Sequence, residues 1–187
     1  MRRVTYSMSS SLDGFAVGPD GGIDWGAPSD ELFRFYIERQ RDVGVQLMGR
    51  RLYETMLYWE DAAEDPALSA AHREWVALWN PLPKVVFSRT LAAVRGAARL
   101  AEGTLAEEIA RLRDAPDAGD IAIGGPTLAA QAAELGLIDE YRVRIHPVLL
   151  GGGLPYFPRV AHQTELELVE TRAFDQGVVY LRHRVVR

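Results

Sequence analysis

Three short stretches of the chain combine small residues and arginine in a way that suits an anion. They are Met48-Gly49-Arg50-Arg51, Phe87-Ser88-Arg89-Thr90 and Ile123-Gly124-Gly125-Pro126-Thr127. Each follows an apolar run that reads as a strand. A glycine at such a corner lets bare backbone approach a ligand, a following helix offers unpaired N–H groups, and a guanidinium fork matches phosphate oxygens. A dinucleotide carries several anions along its length, so one nucleotide lying across three strand ends accounts for all three stretches. Taken singly, each is also ordinary turn chemistry.

Other chemistries lack their residues. No G-x-G-x-x-G follows a strand, and no G-x-x-x-x-G-K-[ST] loop or G-x-S-x-G elbow occurs. His72, His146, His162 and His183 form no H-E-x-x-H or comparable cluster, and there is no cysteine, so neither a thiol nucleophile nor a metal site is expected. A net charge of −5 argues against general nucleic-acid binding, because no positive field draws in a polyanion. Neither an apolar leader nor a run of about 20 apolar residues is present. The expectation is therefore a cytoplasmic protein without a membrane partner.

The elements that must position these corners follow from periodicity. Val4–Met8 reads as a first strand, and the Gly/Asp-rich stretch from Ser11 to Ala27 as a long loop. A helix begins at Asp30 behind Ser29, with Leu32, Phe35 and Tyr36 at helical spacing. Residues 45–49 read as a strand, 50–59 as one helix, 69–79 as another, 84–88 and 98–103 as strands. Thr104 caps a helix over 104–115. Residues 119–125 and 126–136 form the next strand and helix. From Ile138 to Leu150 the chain alternates strictly, and residues 165–174 and 178–186 form a hairpin joined through Asp175–Gly177. Strand and helix alternate through residue 136 and strands follow alone, so the expected fold is a mostly parallel sheet of βα units finished by antiparallel strands, in one domain spanning 1–187. In such sheets ligands bind beyond the carboxyl ends of the strands.

On these residues the chain resembles the dihydrofolate reductase-like superfamily, in the branch of the C-terminal reductase domain of the riboflavin-biosynthesis deaminase/reductase. The matching pieces are SMSSSLDGFAV in the first strand and loop, LMGRRLYETM at 47–56, PKVVFSRT at 83–90 and the long block IAIGGPTLAAQAAELGLIDEYRVRIHPVLLGGGLPYF at 121–157. The resemblance implies a three-layer α/β/α fold, an NADPH-dependent reductase of a pyrimidinone or pterin, and a homodimer. It implies phosphate contacts at Gly49, Arg50 and Arg51, an adenosine 2′-phosphate near Ser88 and Arg89, and cofactor packing along Gly124, Gly125, Thr127 and Leu128. The loop from Asp13 to Trp25 borders the nicotinamide. Leu52 departs from the resembled pattern, where threonine is common.

Hydride transfer belongs to the nicotinamide, and the protein supplies alignment and a proton. Asp30 is the candidate acid, five positions past Trp25 as in dihydrofolate reductases, although a helix-start acid behind the Ser29 cap also accounts for it. The resemblance thus leaves three readings. The first is reduction of 5-amino-6-(5-phosphoribosylamino)uracil, with Arg34, Arg144 and Arg159 as candidates for its phosphate. The second is reduction of dihydrofolate or another pterin through Asp30, and the third is a nucleotide-binding or sensing protein without turnover. Asp13 is either a turn residue or a hydrogen-bonder near the cofactor. Trp25 either shields the nicotinamide or anchors its loop. His146 reads as structural, Gly151–Gly153 as a bend, and Trp59, Trp75 and Trp79 as core or dimer contacts.

Overall fold

The computed structural model describes residues 2–116, 119–157 and 162–187. Its strands are β1 (Val4–Ser11), β2 (Phe15–Val17), β3 (Val43–Gly49), β4 (Lys84–Phe87), β5 (Ala98–Leu100), β6 (Asp120–Gly124), β7 (Glu140–His146), β8 (Leu154–Pro155), β9 (Leu166–Ala173) and β10 (Val179–Val185). Its helices are α1 (Asp30–Gln40), α2 (Arg50–Met56), α3 (Tyr58–Asp61), α4 (Ala70–Trp79), α5 (Leu105–Asp114) and α6 (Pro126–Glu134). The main sheet has the order β5-β4-β3-β6-β1-β7-β10-β9. Strands β5 through β7 in that order are mutually parallel, and β10 is antiparallel to both β7 and β9. A separate antiparallel pair joins β2 to β8.

Helices cover both faces, because the inner strands are apolar on both. On one face Ile109, Leu128, Ala129 and Ala132 of α5 and α6 pack against Tyr6, Val45, Leu47, Ile121 and Ile123. On the other, Ile37, Tyr53, Trp75 and Trp79 pack on Met48 and Val86, while Leu32 and Phe35 of α1 meet Phe174, Val178 and Tyr180. This is the expected three-layer arrangement. Trp75 and Trp79 stack at 5.7 Å between centroids and are buried, so they are core residues. The helix starts behave as read: Ser29 accepts from the Leu32 N–H, and Thr104 forms a full capping box with Glu107.

Four expectations need correction. The stretch 50–59 is two helices, broken at Leu57, and the break turns Trp59 back onto Phe33 and Trp75 at 6.2 and 6.0 Å. The first strand runs on to Ser11, because β7 pairs with it as far as Ser11↔His146. The loop after it contains β2 and a short 3-10 turn at Asp24–Gly26. The alternating strand β7 ends at His146 and has no exposed residue: its polar side chains, like its apolar ones, are buried or half-buried. Arg142, buried there, pairs with Asp120 at 2.6 Å and Glu140 at 2.8 Å. Arg3 bonds the same two carboxylates. A buried ion cluster of this kind is tolerated only because each charge has a partner.

Candidate functional site

The three anion-suited stretches come together. Strands β4, β3 and β6 are neighbours in that order, with Gly49 opposite Phe87 and Met48 opposite Gly124, so their carboxyl ends form one edge. Adjacent strands lie about 4.8 Å apart, so the three ends span about 10 Å.

The glycines on this edge differ in why they are glycine. A Cβ on Gly124 would stand 2.5 Å from Leu52 Cδ2 and 2.8 Å from Gln46 Nε2. Gly125 has φ of 90°, a conformation other residues rarely adopt. Packing and turn geometry account for both, and Leu52 is the side chain that covers them. Gly49 has φ of −82°, open to any residue, and a Cβ there would meet nothing within 4 Å. Glycine suits its place as the N-cap of α2, and its missing side chain leaves a bare cradle at the centre of the edge.

The flanking groups are unequal. Gly125 caps α6 without a side-chain bond, its own N–H donating to Met8 Sδ at 3.0 Å. Thr127 is exposed and its hydroxyl makes no hydrogen bond among the described residues. Leu128 points into the core. Ser88 Oγ accepts from the Thr90 and Leu91 N–H groups at 3.1 and 3.0 Å, which fixes the turn carrying Arg89. Arg50 pairs with Glu54 at 3.1 Å, whereas Arg51 and Arg89 are exposed and have no carboxylate partner among the described residues. Two arginines and a bare corner therefore remain for an anion.

Beyond β6 the edge continues into a polar recess over β1 and β7. Ser9 Oγ lies 3.2 Å from His146 Nε2 and 3.4 Å from the Tyr36 hydroxyl of α1. Arg144 donates from Nη1 to Ser7 Oγ at 2.8 Å and stands over the Tyr36 ring at 4.7 Å. Trp25 meets His146 edge-on at 5.5 Å, so it anchors its loop against the recess. Burial, and secondarily the charge of Arg144, hold the His146 pKa below its ordinary value. Ser7, Ser9 and Tyr36 escaped the sequence reading. The one signal available was the spacing of Ser7 and Ser9 on a strand, which sends both side chains to one face.

Two loops close the recess at its mouth. Asp13 is a turn residue that also ties two loops together: Gly14 after it has φ of 90°, and its carboxylate accepts from Ser11 Oγ at 2.6 Å and from the Leu150 and Gly151 N–H groups. These bonds hold its pKa below the usual value, Ser11 contributing most. Gly151–Gly153 make the expected bend, and a Cβ on Gly153 would collide with Val17 O at 2.0 Å. Asp30 and Arg34 are exposed on α1, and the Asp30 carboxylate accepts no hydrogen bond among the described residues. Arg159 lies outside the described residues.

Comparison with known proteins gives a consistent result. Residues 2–180 match the family described as RibD C-terminal domain. An uncharacterized Bacillus subtilis (strain 168) protein, YyaP, is 31% identical over 96% of this chain and 93% of its own. A solved structure from Shewanella sp. PV-4, provisionally assigned to riboflavin biosynthesis, superposes over 100% of both chains with a TM-score of 0.78 at 22% identity. The Thermotoga maritima diaminohydroxyphosphoribosylaminopyrimidine deaminase/5-amino-6-(5-phosphoribosylamino)uracil reductase matches 99% of this chain with a TM-score of 0.66 at 16% identity. The match takes in 57% of that longer protein.

Proposed function

Since the chain belongs to the RibD C-terminal domain family, an oxidoreductase fold, we propose that it is an NADPH-dependent reductase of a small heterocyclic substrate. The reaction class we favour is reduction of 5-amino-6-(5-phosphoribosylamino)uracil or a close analogue, the reductase activity of the Thermotoga maritima protein. The observation that carries this reading is Gly49, a glycine that neither its backbone angle nor its neighbours require, at the centre of three adjoining strand ends.

The residues fit a dinucleotide phosphate. Gly49 gives backbone access, Arg51 and Arg89 carry charge with no carboxylate partner among the described residues, and the turn held by Ser88 fixes Arg89. When bound, the cofactor supplies a hydride. What the chain supplies is orientation and enclosure. The side chains of Leu52 and Met8 close the glycine corner from two directions. The recess at Ser9, Tyr36 and His146 offers hydroxyl and imidazole groups that hold a proton donor next to that corner. We take residues 1–187 as one domain, acting in the cytoplasm as a homodimer.

Titration with NADPH and NADH, followed by a consumption assay on the ribosylamino-pyrimidinone and on dihydrofolate, tests the reading. Tighter binding of NADPH with turnover of the pyrimidinone supports it. Silence toward both nicotinamides overturns it.

A further inference from the structure

The amino-terminal end of the parallel strands, opposite the glycine edge, holds two adjoining cavities. The first, of about 270 Å³, lies where β1 and β7 start and β10 ends, with Arg2, Arg3, Arg184 and Arg187 on its walls beside Asp139 and Glu140. The second, of about 610 Å³, lies against the end of α6, where Ala133, Ile138, Tyr141, Val185 and Val186 give it apolar walls and the exposed Glu165 stands at its rim. Val185 and Arg187 line both, so the two form one groove. The length of β1, about 23 Å at roughly 3.3 Å per residue, separates the groove from the glycine edge.

The smaller cavity carries more positive charge than its own carboxylates answer. Asp139 already receives Arg113 and Arg187, each at 2.7 Å, and Glu140 receives Arg142 at 2.8 Å and Arg3 at 3.1 Å. Arg184 is exposed and has neither an ion pair nor a hydrogen bond among the described residues. Arg2 has no carboxylate partner among them either. Its Nε and Nη1 donate to the Gly119 and Leu112 carbonyls at 2.8 and 3.3 Å, and its Nη2 is buried without a partner. In a chain of net charge −5 this is a local excess of cation, and two guanidiniums on one cavity suit the oxygens of a phosphate. The larger cavity has a different character. Tyr141 is only 8% exposed, yet its hydroxyl makes no hydrogen bond among the described residues. A largely buried tyrosine on a cavity wall with an unused hydroxyl leaves one hydrogen bond open to a guest. Apolar walls, one polar group and this volume suit a ring system better than a bare ion.

We propose that the groove is a second ligand site, for a phosphate monoester of an aromatic or heteroaromatic ring. The phosphate sits between Arg2 and Arg184, and the ring lies against Tyr141 and Val185. The site shares no residue with the glycine edge and stands independently of the reductase reading.

Isothermal titration calorimetry on the full chain tests it with three probes: 1-naphthyl phosphate, inorganic phosphate and 1-naphthol. The naphthyl phosphate should bind once per chain, about tenfold or more tightly than either part alone. Arg184→Glu replaces a side chain with no hydrogen bond or ion pair among the described residues, so the variant should fold as the wild type does. It should weaken naphthyl phosphate binding about tenfold or more. Arg2→Met should weaken it as well, and Gly49→Val, at the opposite end, should leave it within about twofold. No binding, equal affinity for inorganic phosphate or 1-naphthol, or equal affinity of the wild type and Arg184→Glu overturns the site. Loss of binding in Gly49→Val overturns it too, because the probe then sits on the glycine edge. NADPH binding and turnover are separate measurements, so failure of the groove and failure of the reductase reading are told apart.

Discussion

Gly49 and Gly125 sit one strand apart and answer different demands. Substituting Gly125 strains the backbone whatever binds there, so its loss reports on folding. Gly49→Val should cost no more than about 1 kcal/mol, the cost of a poorer N-cap for α2, because a Cβ there meets nothing within 4 Å. The same change fills the bare cradle, so NADPH affinity should fall about tenfold or more in a fluorescence titration. Unchanged affinity in a folded Gly49→Val protein would place the nucleotide elsewhere. His146 makes a second prediction. Its folded pKa is lowered, so between that value and the ordinary histidine value near 6.5 the unfolded chain binds more protons than the folded one. Stability should therefore decline as pH falls through about 6.5 and level off below the folded pKa, and His146→Gln should flatten that part of the curve in chemical denaturation. Asp30 is the residue for which a helix start suffices as explanation, being exposed in the first turn behind the Ser29 cap. Asp30→Asn should keep turnover of the pyrimidinone within about threefold; a near-complete loss would make Asp30 a catalytic acid of that reaction.

Two side chains at element ends hold the frame around the site. Lys84, the sole lysine in the chain, is buried, and its ammonium donates to the Trp79, Asn80 and Leu82 carbonyls at 2.7, 3.2 and 3.0 Å. It thereby closes the carboxyl end of α4 and ties that helix to the start of β4. Lys84→Met strands those carbonyls away from water and should cost about 1–3 kcal/mol in denaturant titration. Asp13 plays the corresponding part for the two loops at the mouth of the recess. Its lowered pKa means that its contribution is present above the ordinary carboxyl value near 3.8 and is lost as pH falls through the folded value. The Leu150 and Gly151 amides should exchange with deuterium faster in Asp13→Ala, while amides of β6 should not change. Pairing set the ends of β1 and β7, but the helix caps were legible in the sequence, because Ser or Thr ahead of a helical run acts within a few residues. The recess was not. Ser7 and Ser9 look like a solvent face until β7 and α1 cover them, and Tyr36 reads as one more apolar position of an amphipathic helix. Their meeting depends on pairing between residues more than a hundred positions apart, which no local pattern encodes.

The order of the strands governs the molecule as a whole. Strand β6 inserts between β3 and β1 although it follows both in sequence, and that insertion brings Gly124 beside both Met48 and Ser7 and joins the anion edge to the polar recess. Alternation of strand and helix foretold a parallel sheet but could not rank its members, since neither element order nor hydrophobic pattern says which strands become neighbours. The antiparallel end is different. The helices α5 and α6 cover the sheet over its middle strands, and on that same face β9 and β10 present Leu166, Leu168 and Val179, which are 39%, 54% and 36% exposed. The opposite face of the same two strands carries Arg172, Arg182 and Glu170, where Arg182 pairs with Glu170 at 3.2 Å. An apolar face beside an edge strand is unfavourable in water unless something covers it, and a second copy of the chain offers the same patch to itself across a two-fold axis. The homodimer proposed above should use this face. Sedimentation equilibrium should give the mass of two chains for the wild type, and Leu168→Glu should shift it toward one, by setting two carboxylates against each other at the centre of the patch. A dimer untouched by Leu168→Glu would put the interface on another surface, and a wild-type protein that sediments as one chain would end the proposal.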